Sequence, residues 1–228
     1  MNFLHDYLPF LSATVSLVFA IVVFARWLRE TRHSHLLLWT IGFLMYSIGG
    51  FCEGLNGTLG WNPLVFRLWY LFGAILVAAW LGQGTIYLLA KPKKIAHITL
   101  VILVLASAYG AVRVFGARLD VAQPGQELTG RLIISGGVRV LTPFFNIYGT
   151  LALVGGAAWS AWVFFKKKVL RNRAIGNVLL ALGALMPAFG GTFSRFGIPN
   201  ALYISEFLGA VIMFAGFLTA VKPEEKKA

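Results

Sequence analysis

The sequence predicts an all-α integral membrane protein of seven transmembrane helices, with its N-terminus outside and its C-terminus in the cytoplasm. Three observations predict it: an apolar composition, seven apolar runs of helix length, and Lys and Arg gathered on one side of those runs. Of 228 residues, 58% are hydrophobic and 12% charged, and the mean hydropathy is +0.78. A soluble domain carries roughly 25% charged residues. A span needs about 20 mostly apolar residues to cross about 30 Å of hydrocarbon, so seven spans with short loops nearly exhaust the chain.

The apolar segments cover residues 8–28, 36–51, 64–90, 95–115, 140–165, 174–193 and 201–221. Lipid offers the backbone no hydrogen bonds, so only helices or closed barrels can cross it. Strand-like alternation is absent, which leaves a helical bundle. The first ten residues carry Asp6 and no Lys or Arg. They lack the basic region of a cleaved secretory signal, so the first segment is expected to remain as a helix.

Sidedness sets the orientation. Arg26, Arg29, Arg32, Lys91, Lys93, Lys94, Lys166, Lys167, Lys168, Arg171, Arg173, Lys222, Lys226 and Lys227 all fall on one side. Arg67, Arg113, Arg118, Arg131, Arg139 and Arg195 fall on the other, nearly balanced by Asp6, Glu53, Asp120, Glu127 and Glu206. The first side is cytoplasmic by the positive-inside rule. The net charge of +12 therefore reads as topology and as contact with anionic lipid at the cytoplasmic face, with no nucleic-acid partner. The expected location is a prokaryotic plasma membrane, crossed many times. The sequon at Asn56 is read as a chance match, because nothing indicates a eukaryotic secretory route.

Aromatic residues mark the boundaries. Trp27, Trp39, Trp61, Trp69 and Tyr70 lie near expected interfaces, and Trp80 and Trp159 fall deeper, as packing residues. Small residues such as Gly49-Gly50 and Gly190-Gly191 suit close helix approach. The longest external segment, 116–138, contains Pro124-Gly125 between the runs 118–122 and 128–134, which predicts a small hairpin or cap.

An internal duplication gives the domain organisation. Residues 42–50 read like 183–191, residues 71–76 like 207–212, and Lys91-Pro92 like Lys222-Pro223. The chain is thus one transmembrane domain arranged 3+1+3: a repeat over about 8–91, a fourth helix and external loop over about 95–138, and a second repeat over about 140–222. Both copies begin outside, so they are parallel repeats, an organisation shared with sugar facilitators of the SWEET type. The proline-glutamine loop signature of those families is missing. A retinal protein would need a lysine in the seventh segment, and 201–221 contains none.

Ionisable residues inside spans are costly and point to function. Glu53, Arg67, Arg195 and Glu206 qualify, and under the repeat alignment their charges are swapped between the copies. The functional reading is an outward-facing polar site. There Arg67 and Arg195 bind an anionic or polar ligand, while Glu53 and Glu206 gate, couple protons or complete the network. The structural reading is a pair of interfacial salt bridges. Gln83, Asn146 and Asn177, with Tyr87 and Tyr148, are further polar candidates, each also suited to hydrogen bonding between helices. Pro187 interrupts the sixth segment where Tyr46 stands in the first copy.

Other chemistry has little footing. Cys52 is the only cysteine. His5, His33, His35 and His97 lie outside the membrane centre, so neither a metal site nor a cofactor is expected. No Ser-His-Asp grouping, Walker loop, Rossmann fingerprint or HExxH string occurs. The leading function is a small-solute transporter or facilitator. The alternative is a membrane sensor or a non-catalytic accessory subunit of a membrane complex binding lipid or pigment, with a membrane partner chain or a second copy as its partner. An intramembrane lipid enzyme using Glu53 is the least favoured.

Overall fold

The computed structural model describes residues 6–121, 126–167, 170–198 and 200–222, and for Arg195 the backbone alone. Among the described residues seven helices are long and apolar enough to cross a membrane: α1 (Leu8–Arg29), α2 (Ser34–Leu59), α3 (Pro63–Leu89), α4 (Lys93–Phe115), α5 (Val138–Lys167), α6 (Arg171–Arg195) and α7 (Ala201–Val221). Among the described residues there is no β-strand.

Local sequence sets the helix ends. Asn62 caps α3, its Oδ1 accepting from the Leu64 and Val65 amides at 2.8 and 3.2 Å, and Pro63 supplies a preset first turn. Residues Trp69–Leu76 within α3 are π-helical. Helix α2 continues eight residues past the apolar run that the sequence marks, because its last polar side chains find partners inside the protein or on the helix itself instead of ending it. Glu53 takes a bond from Trp69, Asn56 donates to the Gln126 carbonyl, and Thr58 donates to the Gly54 carbonyl. Helix α6 runs through Pro187 without a break.

Six helices close a ring in which α1, α2, α3, α5, α6 and α7 touch in that order and α7 returns to α1. Without a hydrophobic drive between helices in lipid, close contact must hold such a ring. A Cβ on Gly149 of α5 would sit 2.2 Å from the Ala78 carbonyl carbon of α3, and one on Gly209 of α7 would sit 2.8 Å from the Gly183 oxygen of α6. Only glycine permits either crossing.

Helix α4 lies outside the ring against α3 and α5, and only 17% of its most apolar window is buried. Polar clips hold it: Gln83 donates to the Ala96 carbonyl at 2.9 Å and to Thr99 Oγ1 at 3.1 Å, and Trp80 donates to Ser107 at 3.2 Å. Lys93 also donates to the Tyr87 carbonyl.

Between α4 and α5 the chain folds over one end of the ring. Leu119 and Ile133 form an isolated antiparallel bridge, and Leu128, Leu132 and Ile133 are buried beneath it. The expected hairpin is thus reduced to one bridge and a 3-10 turn at Gly130–Leu132, and Pro124-Gly125 lies outside the described residues. We call this the cap end. At the opposite, lysine end stand Arg26, Lys94, Lys166 and Arg171. Lys168, Lys226 and Lys227 lie outside the described residues.

Three aromatic expectations change. Trp69 and Tyr70, expected near an interface, are 7% and 3% exposed and turned into the bundle, whereas Trp159 is 59% exposed and pairs with Trp162 on the outward face of α5.

Candidate functional site

The site is built where α2 and α7 bring an acid each to the cap end. Glu53 stands six residues before the end of α2 and is 2% exposed. Its Oε1 accepts from the Trp69 indole N–H at 2.7 Å, and the π-helical stretch of α3 is what carries that indole. Glu206 lies in the second turn of α7 and is partly buried. The Glu53 and Glu206 carboxyl groups come within hydrogen-bonding reach of each other. Ionised carboxylates only accept, so a hydrogen bond between the two needs a proton on one of them. Tyr46, two turns below Glu53 on α2, donates to the Glu206 backbone carbonyl at 2.9 Å.

The cap lies beside the mouth of the site. Glu127 reaches the α6–α7 junction, where Oε2 accepts from Ser194 Oγ at 2.7 Å and Oε1 from the Asn200 amide at 3.2 Å. Arg67 donates to the Ala117 carbonyl at 3.1 Å. Its Nε is enclosed with no hydrogen-bond partner among the described residues. The structure therefore brings Glu53 to Glu206, acid to acid, and ties Arg67 to the cap backbone. The Arg195 side chain lies outside the described residues.

The remaining polar candidates stand apart from this pair. Gln83, fully buried, joins α3 to α4 and accepts from the Tyr148 hydroxyl. Asn146 donates to the Ala74 carbonyl at 2.8 Å and the Thr142 carbonyl at 2.9 Å, linking α5 to α3. Asn177 donates to the Arg173 carbonyl at 2.7 Å and lies at the lysine end. There it helps line an apolar cavity of about 30 Å³ with Trp39, Leu88 and Ser160. That volume is about the share of one water molecule in the liquid.

Between the acid pair and this cavity the ring is filled. Phe19 of α1 stacks on Phe43 of α2 at 3.7 Å and on Phe214 of α7 at 4.8 Å, with Phe217 at 5.4 Å. Among the described residues no group of three or more His, Cys, Asp and Glu is placed to hold a metal ion. His33 and His35 meet edge to face, and His5 lies outside the described residues.

Sequence reasoning misses two members of the site: it places Trp69 at an interface and takes Tyr46 only as the position matching Pro187. It also leaves out Ser12 and Ser16 of α1, whose buried hydroxyls have no hydrogen-bond partner among the described residues. Ser12, Ser16, Phe19 and Val23 recur at helical spacing, so two hydroxyls on one face of an otherwise apolar span were the available signal. Glu127 entered only as a loop charge, and a loop residue's target cannot be read from its position. Comparison of the chain with protein-family models, with curated proteins and with solved structures finds no match.

Proposed function

We propose that this multi-pass chain is a small-solute carrier of the plasma membrane. Its two parallel three-helix units, α1–α3 and α5–α7, meet around a polar site that opens outward at the cap end. The observation that carries the reading is the approach of the Glu53 carboxyl group of α2 to that of Glu206 of α7, an acid from each unit brought together within the membrane-spanning bundle. Charged groups at such depth are expensive and are retained for work on ions or solutes. The ring order adds support: α3 against α5 and α7 against α1 are the two junctions that a pseudo-two-fold pair of units would make. The lysine end then faces the cytoplasm and anionic lipid, as Lys166 held 5.0 Å over the Trp162 ring suits.

The test is flux. Purified protein in tight proteoliposomes is expected to admit at least one member of a panel of sugars, amino acids and organic ions, and Glu206→Gln to lower that uptake at least tenfold. Absence of flux across the whole panel sinks the carrier.

One observation favours the second reading, a sensor or accessory subunit. The aromatic filling around Phe19 leaves no polar route along the ring axis. That reading expects a stoichiometric membrane partner, or a second copy, to co-purify in mild detergent.

A further inference from the structure

We infer that Glu53 and Glu206 form an exchangeable proton-binding site, reached from the cap end, extended inward by Ser12 and Ser16, and floored by the aromatic stack at Phe19. As the site of a coupling ion it rests on the carrier reading; as a proton site it stands without it.

Two carboxyl groups in contact leave room for no ligand larger than a proton between them. Both ionised, they would repel and neither could donate. Trp69 can only donate, so its N–H fixes Glu53 Oε1 as an acceptor. Glu53 Oε2 is enclosed, with no donor of its own among the described residues. The shared proton answers that vacancy. The Tyr46 hydroxyl is not available for it, because it is spent on the Glu206 backbone carbonyl.

A second observation comes from α1. Ser12 and Ser16 are fully buried, and their hydroxyls have no hydrogen-bond partner among the described residues. Buried hydroxyls left unpaired cost about 1–3 kcal/mol each, so such a pair calls for a bound species. Their direction follows from helix periodicity. Ser12, Ser16 and Phe19 lie on one stripe, and Phe19 fills the seam between Phe43 of α2 and Phe214 of α7. Ser16 and Ser12 therefore face the same α2–α7 seam one and two turns nearer the cap, the level of Tyr46 and Glu206.

The titratable groups around the pair come from each neighbouring element. They are Glu127 from the cap, close enough to act electrostatically on both acids; Tyr46 and Cys52 from α2; Tyr203 from α7 and, acting on it, Asp6 ahead of α1. Arg67 of α3 is turned to the Ala117 carbonyl. Glu206 is partly exposed and Glu53 is not, so exchange runs through Glu206. A hydronium at the cap end gives its proton to one Glu206 oxygen and leaves as water, and the O–H so formed donates to Glu53. Release reverses these steps.

The test uses the full chain in nanodiscs and pH-difference infrared spectra, which resolve the carbonyl stretch of a protonated carboxyl group and its shift in heavy water. Wild type is expected to show such a band titrating with pH. Glu206→Gln is expected to abolish it, and Trp69→Phe to keep the band at a shifted frequency. The inference is overturned if no titrating band exists, or if the band survives unchanged in Glu206→Gln. Should Glu53→Gln fail to fold, Glu206→Gln decides alone, its side chain being the less enclosed. A titrating band in a protein without flux keeps the proton site and removes the carrier; flux without the band does the reverse.

Discussion

At the cap end, Glu53, Glu206, Tyr46 and Glu127 turn their polar groups into the bundle, whereas at the lysine end Arg29, Lys166, Lys167 and Arg171 turn theirs out. Toward the lysine end Phe19 meets Phe43, Phe214 and Phe217 with no acid among them, whereas the rings of the cap end, Phe66, Trp69 and Tyr70, pack beside Glu53. Many charges in loops set sidedness and individually do little for the fold. A few charges drawn inward cost stability and are kept where they bind something. The two ends of one ring thus hold together by different physics.

Three substitutions test that contrast. Phe19→Ala removes the ring that three others contact and should lower stability by about 3 kcal/mol, the low end for Phe→Ala because lipid weakens the transfer term and leaves the cavity term. Thermal unfolding in detergent reads it, and a wild-type midpoint would remove packing as the basis of the lysine end. Glu127→Ala strips the acceptor from Ser194 and the Asn200 amide and should cost about 1–2 kcal/mol, seen as faster proteolysis of the cap. A cap cut at the wild-type rate would mean that Glu127 does not fasten it. Glu30→Ala breaks a half-exposed pair with Arg26 at 3.4 Å and should shift stability by less than about 0.5 kcal/mol. A larger loss in the same thermal assay would show that lysine-end charges do structural work after all.

The seven spans were legible because hydrocarbon imposes a length and a composition that few other environments demand. The final turns of α2 were not, since Glu53 and Asn56 look like the end of an apolar run until their partners across the bundle are known. Glu53 and Glu206 could be singled out as ionisable residues inside spans. Their contact could not, because no spacing along the chain encodes a meeting between α2 and α7. The duplication expected from the sequence gives a finer case. It pairs Gly73 with Gly209, yet Gly73 meets α2 at Gly49 while Gly209 meets α6 at Gly183, the position matched to Gly42. The two crossings differ by two helical turns, and the π-helical stretch Trp69–Leu76 is described in α3 and not in α7. Matching letters fix which residue is present and leave its level on the neighbouring helix free.

Helix α4 is the least enclosed of the seven, with Ala96, Leu103, Gly110 and Val114 its buried positions. Most of its remaining positions need only be apolar, so exchange among Leu, Ile, Val and Phe there leaves the ring as it was. Along this helix little of the sequence is specified letter by letter. Homologous chains would drift fastest here, and a search that weighs all seven spans equally would lose this one first.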